Sequence, residues 1–174
     1  MICPNCGFDN VPGSESCSEC VQDLTHLDLP QPQERLEEEL LRETVGKLEL
    51  APPVTIRADE TIQAALTAMV KHAANALLVV NHEEKLIGLI SERDIALRYA
   101  GDPSLHPDLL VSQFMTPDPV TVTPSETLAY ALQKMDVGNY RHLPVVEADR
   151  IVGLATVRAL LRFVNRSLRE QSGT

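Results

Sequence analysis

The sequence has no tryptophan, only 3% aromatic residues and a formal net charge of −10 at pH 7. So few aromatic rings leave little surface on which nucleic-acid bases could stack. A strongly acidic chain also repels phosphate backbones, so nucleic acid is not an expected partner. There is no apolar run long enough for a membrane-spanning helix, and no basic segment followed by an apolar run that would mark a signal peptide. We therefore expect a protein of the cytoplasm without membrane contacts.

Lysine and arginine are missing from the stretch 1–33, which holds all four cysteines. They form two C-x2-C pairs separated by ten residues: Cys3, Cys6, Cys17 and Cys20. Two such turns supply the four tetrahedral thiolate ligands that Zn²⁺ prefers. Two disulfides are the alternative, which a reducing compartment disfavours. We expect a structural zinc site, because four protein ligands leave no open position for catalysis.

This cysteine segment is similar to the short zinc-ribbon family, which often opens with CPNCG and closes with CxxCG. Val21 stands where that family often has glycine, which can alter the second cysteine turn. Since the segment has no basic side chain to contact phosphates, we expect a protein contact or a purely structural role for it.

The segment after the cysteines begins with a proline-containing break, LPQPQ, at residues 29–33. Apolar residues with acids between them then recur at helical spacing. They are Leu36, Leu40, Leu41, Val45 and Leu48. The spacing predicts an amphipathic helix from about residue 33 to 47. Its apolar stripe either packs on the domain that follows or contacts a partner.

The rest of the chain contains an internal repeat at an almost constant offset. Residues 53–56 (PVTI) return as 119–122 (PVTV), and 77–80 (LLVV) return as 143–146 (LPVV). Self-similarity at a fixed offset indicates a structural unit that is present twice. One copy is too small to bury an adequate core alone, so the two copies should pack around a pseudo-twofold axis.

Each copy is predicted to run strand, helix, strand, turn, strand, helix. Asp59 and Ser125 are expected to cap the first helix of their copies. Ser91 and Thr156 are expected to start the second helix. The predicted fold class is therefore α/β, of the α+β type.

Three stretches carry a resemblance to a known family: MTPDPVTVTPSETLAYALQKM, YRHLPVV and IVGLATVRAL. They resemble the CBS domain in its usual tandem pair, the Bateman module. The implied organisation is a zinc ribbon at 1–27, an acidic linker with a helix at 28–50, a CBS pair at 51–165 with repeats at 51–97 and 116–165, and a C-terminal tail at 166–174.

The two copies differ at one position of chemical importance. Asp94 of the first copy is matched by Ala159, whereas Ser91 is matched by Thr156 and the hydroxyl is kept. From the residues alone, Ser91 is a helix cap and Asp94 a solvated acid of the first helical turn. Tandem CBS pairs commonly bind AMP, ADP, ATP or S-adenosylmethionine between the repeats. Their signature, a glycine followed by Ser/Thr-x-x-Asp, fits Gly88, Ser91 and Asp94.

The resemblance implies a cleft in which Asp94 accepts hydrogen bonds from a ribose and repeat two completes the pocket. The predicted ligand-binding residues are Ser91, Asp94, Val120, Thr121, Val122, Tyr140, Arg141 and His142. Arg141 offers a charged, bidentate contact and His142 a pH-sensitive one. The alternative is that these two residues face solvent or pair with Glu147 or Asp149. The opposite cleft lacks the carboxylate and the basic pair, so one competent site per chain is predicted.

The predicted function is a non-enzymatic regulatory module that binds an adenosyl ligand and transmits its state to a partner. The alternative is a CBS scaffold for dimerisation, with the zinc ribbon as a protein-interaction platform and no ligand switch. No catalytic triad, phosphate-binding loop or open metal site supports an enzyme. The resemblance implies a homodimer, and the protein partner is not identified by the sequence.

Overall fold

The computed structural model describes residues 1–11, 13–24, 35–98 and 108–171. The chain divides into two units, Met1–Glu38 and Glu39–Thr174. None of the helices in the described ranges has both the length and the apolar character that crossing a membrane requires. The predicted break at residues 29–33 and the first two residues of the predicted linker helix lie outside the described residues.

The first unit contains two similar cysteine turns. The backbone N–H of Gly7 donates to the carbonyl of Cys3, and that of Val21 donates to the carbonyl of Cys17, both at 2.9 Å. Both turns end in the left-handed conformation, with φ of +75° at Gly7 and +56° at Val21. Glycine adopts this conformation freely, whereas a β-branched side chain there costs about 1–2 kcal/mol.

The helices and strands of the described chain alternate as the repeat predicts. They are α1 (Arg35–Arg42), β1 (Thr55–Arg57), α2 (Ile62–His72), β2 (Ala76–Val80), β3 (Leu86–Ser91), α3 (Glu92–Arg98), β4 (Thr116–Pro117), α4 (Leu128–Gly138), β5 (His142–Glu147), β6 (Arg150–Thr156) and α5 (Val157–Gln171). Two short 3-10 helices, Val45–Lys47 and Val111–Gln113, precede β1 and β4.

Two sheets carry the two repeats. In the first, the strand order is β1-β2-β3-β4, with β1 parallel to β2 and the other neighbours antiparallel. The second sheet is the antiparallel pair β5-β6. Val122 forms a parallel bridge to Val145, at the place where repeat one has β1. The predicted α+β class with two similar repeats is confirmed.

The repeat extends further towards the N-terminus than the predicted start at residue 51. Residues 43–48 lie before repeat one and residues 109–114 lie before repeat two, and we call them the leading segments. They match at the same offset as residues 53–56 and 119–122, so that Val45 corresponds to Val111.

The two repeats exchange these leading segments. The backbone N–H of Val45 donates to the carbonyl of Glu126 in repeat two at 2.9 Å. In the same way, the N–H of Val111 donates to the carbonyl of Glu60 in repeat one at 2.8 Å. Both valine side chains are fully buried. Val45 lies in the core of repeat two, and Val111 lies in the core of repeat one. Neither repeat is therefore complete without the segment that precedes the other.

A third apolar cluster joins the two repeats. Its buried members are Ala76, Leu78, Leu89 and Leu154. Three of them lie on β2 and β3 of repeat one and one lies on β6 of repeat two. This cluster holds the sheets together and fixes the spacing of the surfaces on either side of it.

The linker helix ends earlier than predicted. α1 stops at Arg42, whereas the sequence predicted a helix to residue 47. Thr44 is extended, with φ of −109° and ψ of 161°, and forms an antiparallel bridge to Thr127. The helical spacing of the apolar residues was misleading because the bridge to repeat two sets an extended backbone conformation at Thr44.

The first helix of each repeat is capped by a residue other than the predicted one. Thr61 and Thr127 are the caps, and their hydroxyls accept hydrogen bonds from backbone N–H groups at 3.1 and 3.2 Å. Asp59 instead pairs with Arg57 at 3.2 Å, and Ser125 lies outside the helix. The prediction was wrong because each threonine is held in an extended bridge by the other repeat's leading segment.

The second helix of each repeat begins where predicted. The Ser91 hydroxyl accepts a hydrogen bond from the N–H of Asp94 at 3.3 Å, and the Thr156 hydroxyl accepts one from Ala159 at 3.1 Å. α5 continues past residue 165, so the first part of the predicted C-terminal tail is helical.

We predict that Val45→Ala and Val111→Ala each lower the free energy of unfolding by about 2 kcal/mol, because each leaves a cavity in a packed core. Urea unfolding of the full chain measures both. Val70→Ala, at a position 83% exposed, is the matched control, with a change within about 0.5 kcal/mol. Equal, small effects for all three variants would contradict the exchanged packing.

Candidate functional site

A cleft of about 1400 Å³ runs between the two repeats. It is bordered by the starts of α3 and α5 and by the turns that follow α2 and α4. Six predicted ligand-binding residues line it: Ser91, Asp94, Val120, Tyr140, Arg141 and His142. Thr156 and Ala159 line the same cavity. The two predicted clefts are thus two sides of one cavity, which we call the Asp94 side and the Thr156 side.

Two of the predicted residues, Thr121 and Val122, do not line this cleft. Val122 is 1% exposed and lies in the core of repeat two. Its backbone N–H donates to the carbonyl of Pro144 at 3.0 Å. The carbonyl of Thr121 accepts a hydrogen bond from Lys134 Nζ at 3.0 Å. These contacts fix the strand against its own repeat, so the Val122 side chain belongs to the core.

Asp94 caps its own helix as well as facing the cleft. Its Oδ2 accepts hydrogen bonds from the Ser91 hydroxyl at 2.6 Å and from the Ser91 N–H at 2.9 Å. Within the described part of the chain, its Oδ1 accepts none. An ionised carboxylate has about four acceptor positions, so capping and ligand binding are compatible. The serine and the carboxylate therefore form one unit that holds the acid at the edge of the cleft.

Ala159 occupies the corresponding place on the Thr156 side. It is 5% exposed and belongs to the core of repeat two. A carboxylate in this largely apolar setting would lose most of its water, which is costly. The missing acid of repeat two has thus been replaced by core packing.

Arg141 is exposed and its backbone is fixed. Its carbonyl accepts a hydrogen bond from the N–H of Val157, the first residue of α5, at 3.1 Å. Among the described residues it forms no ion pair, so it does not pair with Glu147 or Asp149, and its exposure agrees with the solvent-facing alternative as well as with a place at the cleft. The guanidinium therefore remains available to an anion that enters the cleft.

His142 is half-buried between the repeats. Burial lowers its pKa below the usual value, and the Arg141 charge adds to this lowering, while the carboxylates of Glu92 and Asp94 act in the opposite direction. Its surroundings therefore favour the uncharged imidazole. The influence of Glu92 and Asp94 on this residue shows that the start of α3 in repeat one lies close to the basic pair of repeat two.

The cleft also has lining residues that the sequence reasoning missed. They include Glu49, Leu50, Ala51, Pro52, Asp118, Asp136, Arg158 and Arg162. Residues 49–52 match residues 115–118 at the offset of the repeat, so following the repeat into the leading segments would have found both stretches. Asp118 has φ of +45°, a left-handed conformation that aspartate tolerates better than most residues.

The four cysteines of the first unit converge. All four Sγ atoms lie within 4.8 Å of one another. Two pairs, Cys3 with Cys20 and Cys6 with Cys17, are at 3.6 Å. Sulfurs at the corners of a tetrahedron around zinc, each at about 2.3 Å from the metal, are about 3.8 Å apart. The spacing therefore fits a single four-thiolate metal ion.

Hydrogen bonds favour the thiolate form of two of these cysteines. The backbone N–H of Cys20 is the largest influence in lowering the pKa of Cys17 to about 6. The side chain of Asn5 is the largest influence in lowering the pKa of Cys20. The backbone N–H of Phe8 acts to lower the pKa of Cys6, but burial and the neighbouring thiols outweigh it and raise that pKa to about 12. The thiolate is the form that binds metal, so a bound cation would be needed to hold all four cysteines as thiolates.

Comparison with known proteins identifies the second unit. The CBS domain family matches residues 45–101 and 111–166, a range that includes most of both leading segments. The Arabidopsis thaliana CBS domain-containing proteins CBSCBSPB1 and CBSCBSPB3 are 39% and 36% identical over 119 and 133 residues, which cover 68% and 76% of this chain. The matched stretches are 22% and 24% of those proteins, so the chain spans about a quarter of their length.

Solved structures agree with this assignment. The CBS domain pair of protein MJ0100, in complex with 5′-methylthioadenosine and S-adenosyl-L-methionine, is 27% identical with a TM-score of 0.62. The alignment covers 71% of this chain and 97% of that one. An uncharacterised protein from Pyrococcus horikoshii shares the fold, with 24% identity and a TM-score of 0.65, over 71% of this chain and 92% of that one. The tandem arrangement expected from the sequence is confirmed, and the chain belongs to the CBS domain family.

Proposed function

We propose that the protein is a non-catalytic regulatory module. It binds one adenosyl ligand on the Asp94 side of the cleft and transmits the bound state to a protein partner. The observation that carries the proposal is the asymmetry of the cleft. Asp94, Arg141 and His142 all line the cleft, whereas the position that matches Asp94 on the other side is a buried alanine.

The residues of the Asp94 side suit the parts of an adenosyl ligand. The second oxygen of Asp94 can accept hydrogen bonds from ribose hydroxyls, because Ser91 holds the first. Val120 and Tyr140, 37% and 38% exposed, offer apolar and aromatic surface to an adenine ring. Arg141 can pair with a phosphate or a carboxylate of the ligand. AMP, ADP, ATP and S-adenosylmethionine all carry this combination of groups.

The related CBS pair of MJ0100 supports the adenosyl class, since its ligands are 5′-methylthioadenosine and S-adenosyl-L-methionine. Regulation follows if the ligand binds one conformation of the pair more tightly than another. The cleft is lined by both repeats and by the chain that follows both leading segments, so a ligand there contacts the parts that would have to move.

We predict saturable binding of at least one of AMP, ADP, ATP and S-adenosylmethionine, with one ligand per chain. Asp94→Asn should weaken it at least about tenfold, because the charged acceptor is lost while the cap is kept. Isothermal titration calorimetry of the full chain measures both. Asp149→Asn, the same change on an exposed turn, is the matched control and should bind as the parent does. No binding of any of the four ligands would favour the scaffold alternative.

Asp94→Ala should also lower the stability of the chain without ligand. Loss of the cap at the start of α3 should cost about 1 kcal/mol of unfolding free energy. Asp94→Asn should lose less, because the amide oxygen can still accept from Ser91. Thermal or urea unfolding distinguishes the two variants. Equal stability of Asp94→Ala and the parent would mean that the carboxylate does not cap the helix.

The cysteine cluster is proposed to hold Zn²⁺ as a structural ion. Its four sulfurs fit the metal in spacing, and a closed thiolate site stabilises a small unit that has little core of its own. The buried members of that core are Cys3, Cys17 and Leu24. Free thiols persist in a reducing compartment, in agreement with the cytoplasmic location that we propose.

We predict one zinc ion per chain and a first unit that unfolds when the ion is removed. Elemental analysis gives the zinc content, and Cys17→Ser should lower it. In NMR spectra, a chelator should collapse the resonances of residues 1–24 towards random-coil positions. The resonances of residues 39–98 and 108–171 should stay dispersed and serve as the internal control. A metal-free first unit that keeps its dispersed spectrum would contradict the structural role.

The scaffold alternative has one observation in its favour, which is the compact cysteine segment, whose described residues between 1 and 24 include no lysine or arginine. In that case the CBS pair forms a homodimer and the ribbon binds a protein, with no response to adenosyl ligands. The homodimer itself stays a prediction from the family resemblance under either function.

A further inference from the structure

One face of α5 concentrates positive charge on a chain whose net charge is negative. Four of the 15 lysine and arginine residues of the protein follow one another along this helix. They are Arg158, Arg162, Arg166 and Arg169, and we call them the arginine face. At 3.6 residues per turn, the spacing of four, four and three places them in one band.

Most arginines of the arginine face form no ion pair with another described residue. Arg162 pairs with Glu49 at 3.1 Å. Within the residues that the structure describes, no ion pair involves Arg158, Arg166 or Arg169. The Arg166 guanidinium lies over the Phe163 ring at 5.5 Å, which holds it near the helix. The cations at the C-terminal half of α5 are therefore available to an acidic partner.

Apolar residues border the arginine face. Leu161 and Leu168 are 56% and 44% exposed. They lie seven residues apart, so they occupy one stripe beside the arginines. A matching partner would present an exposed apolar side chain with acids on either side of it.

The second cysteine turn of the first unit has this chemistry. Val21 is 78% exposed and has the left-handed backbone, at φ +56°, where the first turn has Gly7. It gains little packing within its unit to offset that strain. Glu19 and Asp23 flank it in sequence, and the described part of residues 1–24 contains no lysine or arginine. Strain at an exposed side chain with little packing is characteristic of a contact residue.

We propose that the second cysteine turn of one copy, centred on Val21 and Glu19, docks on the arginine face and the Leu161–Leu168 stripe of a second copy. Charge complementarity selects this occupant, since the acidic apolar turn and the basic apolar helix are present in the same chain. Four thiolates around Zn²⁺ carry two net negative charges, which would strengthen the attraction. The inference rests on the proposed zinc ion and not on the adenosyl ligand.

The contact is small and charged, so the association that it adds to any dimer of the CBS pairs should be weak, concentration-dependent and reduced by salt. Sedimentation equilibrium of the zinc-loaded full chain, without nucleotide, measures it. Arg166→Glu combined with Arg169→Glu should weaken association roughly tenfold. Both arginines lie outside the cleft. Lys71→Glu combined with Arg150→Glu makes the same charge change elsewhere and should have a smaller effect.

The ribbon side is tested by Glu19→Arg. This substitution should weaken association, because it places an arginine against the arginine face. A mixture of the Glu19→Arg chain with the chain carrying Arg166→Glu and Arg169→Glu should associate more tightly than either alone. In the mixture, the reversed turn of one chain meets the reversed helix of the other.

Val21→Gly separates the contact from the folding of the ribbon. Removing the strained side chain should raise the resistance of the first unit to chelator, and it should weaken association in the same sample. A purely structural valine would change only the first property.

The proposal is supported if the helix variant and the Glu19→Arg variant each weaken association and the mixture of the two chains restores it. Three results overturn it: a monomer at all concentrations, ribbon variants that associate as the parent does, or a mixture without restoration. If only the helix variant weakens association, the proposal is wrong and the arginine face serves another surface or another anionic partner. Failure of the adenosyl proposal would leave all of these results unchanged.

Discussion

The structure of the CBS pair depends on the exchange of the leading segments. Backbone hydrogen bonds hold each leading segment against the opposite repeat. Val45 donates to Glu126 of repeat two, and Val111 donates to Glu60 of repeat one. Each repeat alone would leave a buried valine site empty and the backbone beside its first helix unpaired, and both are costly. The exchange also shapes the site, because the chain runs on from each leading segment into the wall of the cleft. Folding of the repeats and construction of the cleft are therefore one process.

Much of this fold could be predicted from the sequence, since the repeat at a fixed offset, the apolar strands and the starts of α3 and α5 are all local patterns. The errors arose where contacts between the repeats override local preference. Asp59 has a suitable capping side chain, but Thr61 caps the helix because its backbone pairs with a leading segment. The periodicity that predicted a helix to residue 47 is real, but Thr44 is drawn into an extended bridge. Neither outcome is visible without knowing that the segments are exchanged.

For the candidate site, the sequence could predict the residues placed by helix starts and strand ends, such as Ser91, Asp94 and His142. It could not predict that Val122 turns into its own repeat, because that depends on a single bridge to Val145. It also missed Asp118, which reaches the cleft through a left-handed backbone between two prolines. Local spacing identifies which residues carry chemistry, whereas the pairing of strands decides which of them face a common cavity.

The two repeats have come to use the same element for different purposes. In repeat one, Asp94 serves as both cap and cleft-facing acid at the start of α3. In repeat two, Ala159 packs into the core, and α5 continues for 15 residues. Restoring the acid at position 159 would set a carboxylate beside an apolar cluster and remove much of its water, which is costly. The asymmetry is thus built into the packing: the acid faces the cleft on one side only, while α5 on the other side carries an exposed, charged surface.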